Sequence, residues 1–164
     1  MYLFRIAKTK YINDLSGVGA RVYGGRWNEK GVAVVYTSES RALAALEFLV
    51  HTPMALAPKD LSIMTIHIPD SIKPKPIDLA HLPKNWDMHP APDALAQIGS
   101  LWARSNASLL LKVPSVLINE EHNIIINPNH PDFKHLKASS DKFNFDDRYF
   151  WRLGQFTAVR RQPQ

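Results

Sequence analysis

Three polar residues stand out of place between Gly24 and Glu47. Arg26 follows two glycines, Tyr36 closes an apolar run, and Glu47 is the only charge between Arg41 and His51. Arginine offers five donors in a rigid fork suited to phosphate or carboxylate. The glycines before it let a backbone approach a ligand closely. A tyrosine at a strand end can stack on an aromatic ring and present its hydroxyl, although a wet hydroxyl at a strand end is also commonplace. Glu47 makes the sharpest case. An unpartnered carboxylate on an apolar helix is costly, and its helical neighbours four before and three after are Leu43 and Val50. Either an interior arginine such as Arg5 or Arg148 neutralises it, or it serves a site, where perturbed charges gather.

Other reactive types are weaker. Ser115 follows Pro114 outside any Gly-x-Ser-x-Gly elbow, which argues against a hydrolase nucleophile. The glycines at 17 and 19 lack the third member of a dinucleotide fingerprint, since position 22 is Val, and no Gly-Lys-Ser/Thr follows. His130, Asp132 and His135 have poor metal spacing, and no His-Glu-x-x-His occurs. With no cysteine, thiol catalysis, disulfides and cysteine-bound zinc are excluded.

The elements that must position these residues follow from periodicity. Tyr2 to Ile6 reads as a strand, and residues 11 to 31 as a glycine-rich loop. Val32 to Thr37 is a short β-branched run, hence a buried strand. A helix over about 39 to 51 is apolar nearly all round and should be buried on most sides. Leu61 to Ile68 is a strand, followed by an irregular proline-rich passage to Pro92. Asp93 caps a helix to about Arg104 with Leu95, Ile98, Leu101 and Trp102 on one side. Strands are expected at 108–112, 115–118 and 124–126, the last two as a hairpin, and finally at 143–151 with Arg148 inside it. Strands outnumber helices without regular alternation, so the expected class is α+β: one sheet assembly, few flanking helices. The 164 residues suit one domain, 1–164, with a polar tail at about 158–164. The short apolar start and the lack of a run near 20 residues point to a cytoplasmic protein. A formal charge of +5 suits an anionic ligand, a nucleic acid or an acidic partner.

Several blocks now combine: Gly24-Gly25-Arg26-Trp27-Asn28, Val35-Tyr36-Thr37-Ser38, Leu43-Ala44-Ala45-Leu46-Glu47, Pro114-Ser115-Val116 and Ile126-Asn127-Pro128-Asn129-His130-Pro131. In order and spacing they resemble the RES-domain toxins, a family named for an arginine, a glutamate and a serine that here match Arg26, Glu47 and Ser115. The likeness runs from Leu3-Phe4-Arg5 to Phe145-Asp146-Asp147-Arg148, and Asn119 departs from it where a proline is expected. The resemblance implies an ADP-ribosyltransferase-like fold of the diphtheria-toxin type. It implies the toxin of a bacterial type II toxin–antitoxin module that arrests growth by cleaving the nicotinamide–ribose bond of NAD+, as glycohydrolase or phosphorylase. NAD+ is then a substrate, and no cofactor or metal is implied. Glu47 would face the developing ribose cation, Arg26 hold phosphate, Tyr36 stack on nicotinamide and Ser115 bond the ribose or amide. Arg5, Trp27, Asn127 and Arg148 are further binding candidates. The implied partner is an Xre-type antitoxin that blocks the NAD+ site and carries the DNA contacts, so the chain itself needs no nucleic acid and no membrane. A homodimer within a larger hetero-oligomer is compatible with this. A protein ADP-ribosyltransferase, a basic nucleic-acid or protein interaction module, and a metal-dependent hydrolase are the alternatives. Without a Glu-x-Glu pair, water or phosphate is favoured as acceptor over an arginine side chain.

Overall fold

The computed structural model describes residues 1–52, 60–146 and 148. Its frame is one seven-stranded sheet in the order β4-β5-β6-β2-β1-β3-β7. The strands are β1 (Tyr2–Lys8), β2 (Val35–Ser38), β3 (Leu61–His67), β4 (Lys75–Pro76), β5 (Leu110–Pro114), β6 (His122–Ile126) and β7 (Lys137–Phe143). The helices are α1 (Thr9–Ile12), α2 (Val18–Tyr23), α3 (Arg41–Val50) and α4 (Asp93–Ser105). All neighbouring strands run antiparallel except β4, which lies parallel to β5. This is the expected α+β class with few helices.

Two ladders carry the frame. β1 pairs with β3 from Tyr2↔His67 to Lys8↔Leu61, and β3 pairs with β7 from Leu61↔Phe143 to His67↔Lys137. On the other side β6 lies between β2 and β5. The two halves join through one register pair, Phe4↔Ser38 of β1 and β2.

Alternation along the strands sorts the side chains between two faces. On one face Leu3, Val35, Met64, Ile66, Leu110, Ile124 and Ile126 form a core with Ile12. On the other, the registers Phe4↔Ser38, Ser38↔Asn123 and Val113↔Asn123 bring those residues together. There α4 covers β5 and β6, where Leu95 and Trp102 cluster with Leu111, Val113 and Ile125. Over β1 and β3, Ala44 of α3 clusters with Ile6, Leu61 and Ile63. Between these two covers, above β2 and β6, lie Tyr36, Ser38 and Asn123.

Several expected elements move. The glycine-rich stretch at 11–31 contains α2, whose C-terminus turns at Gly24. The hairpin is β5–β6, and residues 115–121 are its connection, with no strand at 115–118. The reason is local: Ser115 Oγ accepts from the backbone N–H groups of Leu117 and Ile118 at 3.1 and 3.3 Å, which turns the chain out of the ladder. The last strand among the described residues is β7, which starts six residues before the expected start at 143. Lys137–Phe143 lacks an apolar alternation because it is an edge strand held by its backbone ladder to β3. Of the expected strand at 143–151, residues 147 and 149–151 lie outside the described residues, as does the tail at 158–164; Arg148 lies in no strand.

α3 buries Leu43 and Ala44 but exposes Ala42, Leu46 and Val50, so it is covered on one side only. In α4 the buried side is Leu95, Gly99, Trp102 and Ala103, while Leu101 is exposed and Asp93 sits in the first turn behind Pro92. No helix among the described residues is long and apolar enough to cross a membrane.

Candidate functional site

Glu47 follows Leu43 by four residues and Ala44 by three, the helical spacing that puts it on the buried side of α3. Ser40 caps this helix by accepting from the Leu43 N–H at 3.0 Å. The Glu47 carboxylate is half-buried and reaches the β5–β6 connection. Its Oε1 accepts from Ser115 Oγ at 3.2 Å and from Asn123 Nδ2. Ser115, 68 residues away in sequence, therefore does fold back beside it. Both donors are neutral. Among the described residues Glu47 makes no salt bridge. Arg5 instead donates to the Asp14 carbonyl at 2.7 Å, and Arg148 pairs with Asp146 at 2.8 Å. Among the described residues no arginine forms a salt bridge with this carboxylate.

The Ser115 hydroxyl is buried and fully used, donating to Glu47 and accepting from two backbone amides. No histidine approaches it in these bonds, so it is built to hold a carboxylate and not to attack.

The loop at 24–29 presents Arg26. Asn28 is its interior brace: Nδ2 donates to the carbonyls of Ala20, Val32 and Glu29, and Oδ1 accepts from the Tyr36 hydroxyl at 2.8 Å. That hydroxyl in turn accepts from the Trp27 N–H at 3.0 Å. A Cβ on Gly25 would lie 2.6 Å from the same hydroxyl, so only glycine fits there. Tyr36 is thus locked at its polar end, and burial raises its pKa well above the usual 10.0.

Arg26 donates through Nη1 to the Trp86 carbonyl at 2.7 Å and through Nη2 to the Met88 carbonyl at 3.1 Å. Its pKa is lowered by partial burial, against the opposing fields of Glu47, Asp87 and Tyr36. Arg26, Tyr36 and Glu47 therefore share one electrostatic neighbourhood. Two of five guanidinium donors hold the proline-rich segment, and three are left for an anion.

The remaining candidates separate. Arg5 lies on β1 next to Phe4 and Ile6, which pack beneath α3, so alternation sends it to the opposite face. It lines a cavity of about 240 Å³ where β1 and β2 part, together with Asp14, residues 17–20 and Val34–Tyr36. Burial lowers its pKa, and Asp14 opposes this. Trp27 is a buried core side chain of the α4 cluster. Asn127 is fully buried, and its amide donates to Ala103 O and Asn106 Oδ1 at 2.8 and 2.7 Å, closing the end of α4. Arg148 is exposed. His130 Nδ1 accepts from the Asp132 N–H and caps the turn at 131–135.

Sequence reasoning missed Asn123 and Ser38. Ser38 Oγ donates to Asn123 Oδ1 at 2.6 Å across β2 and β6, and so orients the amide that meets Glu47. Asn123 reads as a turn residue because its neighbours Glu120 to His122 are polar; only its alternation with the buried Ile125 signals an inward position.

The site thus joins an arginine after two glycines, a glutamate at the core side of a helix and a serine that holds it. Residues 2–148 match the family model described as RES domain. The chain belongs to the RES family. Among RES relatives, it is 44% identical over 145 residues to the Prs ADP-ribosylating toxin of Sphingobium sp. (strain YBL2), covering 87% of this chain and 90% of that protein. It is 39% identical over 151 residues to Toxin Res of Yersinia enterocolitica, covering 90% and 99%. The crystal structure of the Mycobacterium tuberculosis MbcT–MbcA toxin–antitoxin complex holds a chain with the same fold, at a TM-score of 0.69 and 17% identity, with 93% and 87% covered. The fold of this chain is that of the RES family.

Proposed function

We propose that this RES-family chain is the toxin of a cytoplasmic toxin–antitoxin pair and breaks the nicotinamide–ribose bond of NAD+. The carrying observation is the half-buried Glu47 carboxylate, held by two neutral donors and, among the described residues, in no salt bridge. A carboxylate whose charge is not cancelled can stabilise a developing oxocarbenium ion. The names of the relatives support the toxin reading.

In this reading the ribose–nitrogen bond breaks and its electron pair returns to the pyridinium ring, leaving neutral nicotinamide. No strong general acid is needed. Glu47 Oε2 accepts from a ribose hydroxyl and faces the cationic C1′. Arg26 directs its three other donors to a phosphate. Tyr36 offers a ring locked at its hydroxyl end for nicotinamide to stack on. Ser115 acts through Glu47. Arg5 and its cavity border Tyr36 and extend the binding region. Trp27 and Asn127 support the scaffold.

The acceptor then bonds to C1′. Water gives ADP-ribose and a proton, and phosphate gives a phosphorylated ADP-ribose. A protein acceptor is a second reading, favoured by the 44% identical relative named as an ADP-ribosylating toxin. An antitoxin of the Xre type would cover the Glu47–Arg26 side and contact DNA on the chain's behalf, in an assembly that can contain two toxin copies.

The test is incubation of purified protein with NAD+ alone, with phosphate, and with a bacterial protein extract, the products being read by mass. Nicotinamide release is expected, and its partner product names the acceptor. Glu47→Gln should lower release at least ~100-fold. Absence of nicotinamide under every condition would overturn the reading.

A further inference from the structure

The arrangement behind Glu47 is more directed than carboxylate binding alone requires. Ser38 and Asn123 face one another across β2 and β6 as a register pair. Ser38 is buried, and its hydroxyl gives the proton to Asn123 Oδ1 at 2.6 Å. An amide whose oxygen is so occupied can turn only its N–H₂ group towards Glu47. Ser115 is oriented likewise, because two backbone N–H groups occupy its lone pairs and its own proton must go to Glu47. Both donors meet Oε1. Among the described residues Oε2 accepts no hydrogen bond.

We propose that Asn123, aligned by Ser38, is a positioning residue that clamps Oε1 of Glu47, so that the carboxylate keeps its charge and presents Oε2 alone to the ribose. This rests on the NAD+ reading above. The clamp uses neutral donors for a reason. A lysine in place of Asn123 would hold the carboxylate as well but would cancel the charge that the ribose cation needs. It spans three elements, since Glu47 comes from α3, Ser38 from β2 and Asn123 from β6. The charged groups around it are Arg26 in the glycine loop, whose field meets that of Glu47, and Asp87 beside Arg26. At the start of α3 are Glu39 and Glu121, with Lys112 and His122 paired to Glu39. Arg41 bonds away from it to Thr65.

The test compares wild type with Asn123→Ala, the near-isosteric Asn123→Asp, and Ser38→Ala. NAD+ turnover should fall about 10-fold or more in kcat for both Asn123 variants, with KM changed less than about threefold. Ser38→Ala should fall less, since the amide survives but can turn. Asn123→Asp places a second carboxylate beside Glu47, so the acid limb of its rate profile should move to higher pH. A purely structural loss would lower the rate without moving that limb. In parallel, carbon-13 carboxyl NMR at fixed pH follows Glu47 itself, with Glu47→Gln assigning the signal. Its chemical shift should change in both Asn123 variants as Oε1 loses a donor. Unchanged kcat and an unmoved Glu47 carboxyl signal would overturn the proposal. If wild type releases no nicotinamide, the NAD+ reading fails, while the Glu47 carboxyl signal still decides whether Asn123 clamps it.

Discussion

At the residue scale, polar side chains here divide by whether their hydrogen bonds are already complete. Ser115 and Asn127 are both buried and both satisfied, yet one ends on a carboxylate and the other on helix and loop backbone. Ser115→Ala should therefore lower NAD+ turnover by about 10-fold by removing one of two donors to Glu47, and lower the melting temperature as well, since the Leu117 and Ile118 N–H groups lose their acceptor. Tyr36 leads to a pH effect. Its folded pKa is raised by burial above the ordinary 10.0. The unfolded chain therefore loses this proton first as pH rises, so the stabilisation is complete below about pH 10 and declines above it. Denaturant midpoints measured from pH 8 to 11 should fall more steeply for wild type than for Tyr36→Phe. Equal slopes would show that Tyr36 titrates normally.

At the element scale, the glycine loop owes its shape to α4. Gly99 lies against the Trp27 carbonyl so closely that a Cβ cannot fit, and Ser100 Oγ accepts from the Glu29 N–H at 2.8 Å. Gly99→Ala would push the loop off the helix, and overpacking of this kind costs about 1–3 kcal/mol. A fall in melting temperature of several degrees is expected, together with weaker NAD+ binding, because Arg26 is on the displaced loop. Unchanged melting temperature and affinity would show that the loop does not depend on this contact. The same scale explains where sequence reading succeeded. α3 was legible to within two residues at its start and one at its end, since its apolar run and Ser40 cap are local signals. The exposed Ala42, Leu46 and Val50 were not, because an apolar residue carries no mark of which side a neighbour covers.

At the scale of the whole molecule, the sheet is unequal. β3 is flanked by two seven-residue ladders, while β4 pairs through two residues at the far edge. Amide exchange should be slowest in β3 and β1 and fastest in β4. Comparable protection across all strands would contradict this. The joint between β1 and β2 is the narrow part, a single register pair beside the Arg5 cavity and the Tyr36 ring. In the NAD+ reading proposed above, a site where the sheet is least paired leaves room for a ligand without opening the core.

The sequence by itself determined the chemistry that was available: an arginine after two glycines, a tyrosine closing an apolar run, a lone helical carboxylate, and the order of blocks that marks the RES family. These are local facts, carried by residue type and spacing. Only the tertiary structure decided which polar residues meet. Ser115 and Asn123 reach Glu47 across 68 and 76 residues, whereas Asn127, only four residues beyond Asn123, turns into the scaffold. The two share a face by alternation, so the choice depends on which helix covers each end of β6, α3 reaching Asn123 and the end of α4 reaching Asn127, and on the register that sets Asn123 opposite Ser38. Register is set by long-range pairing that no short stretch of this chain encodes.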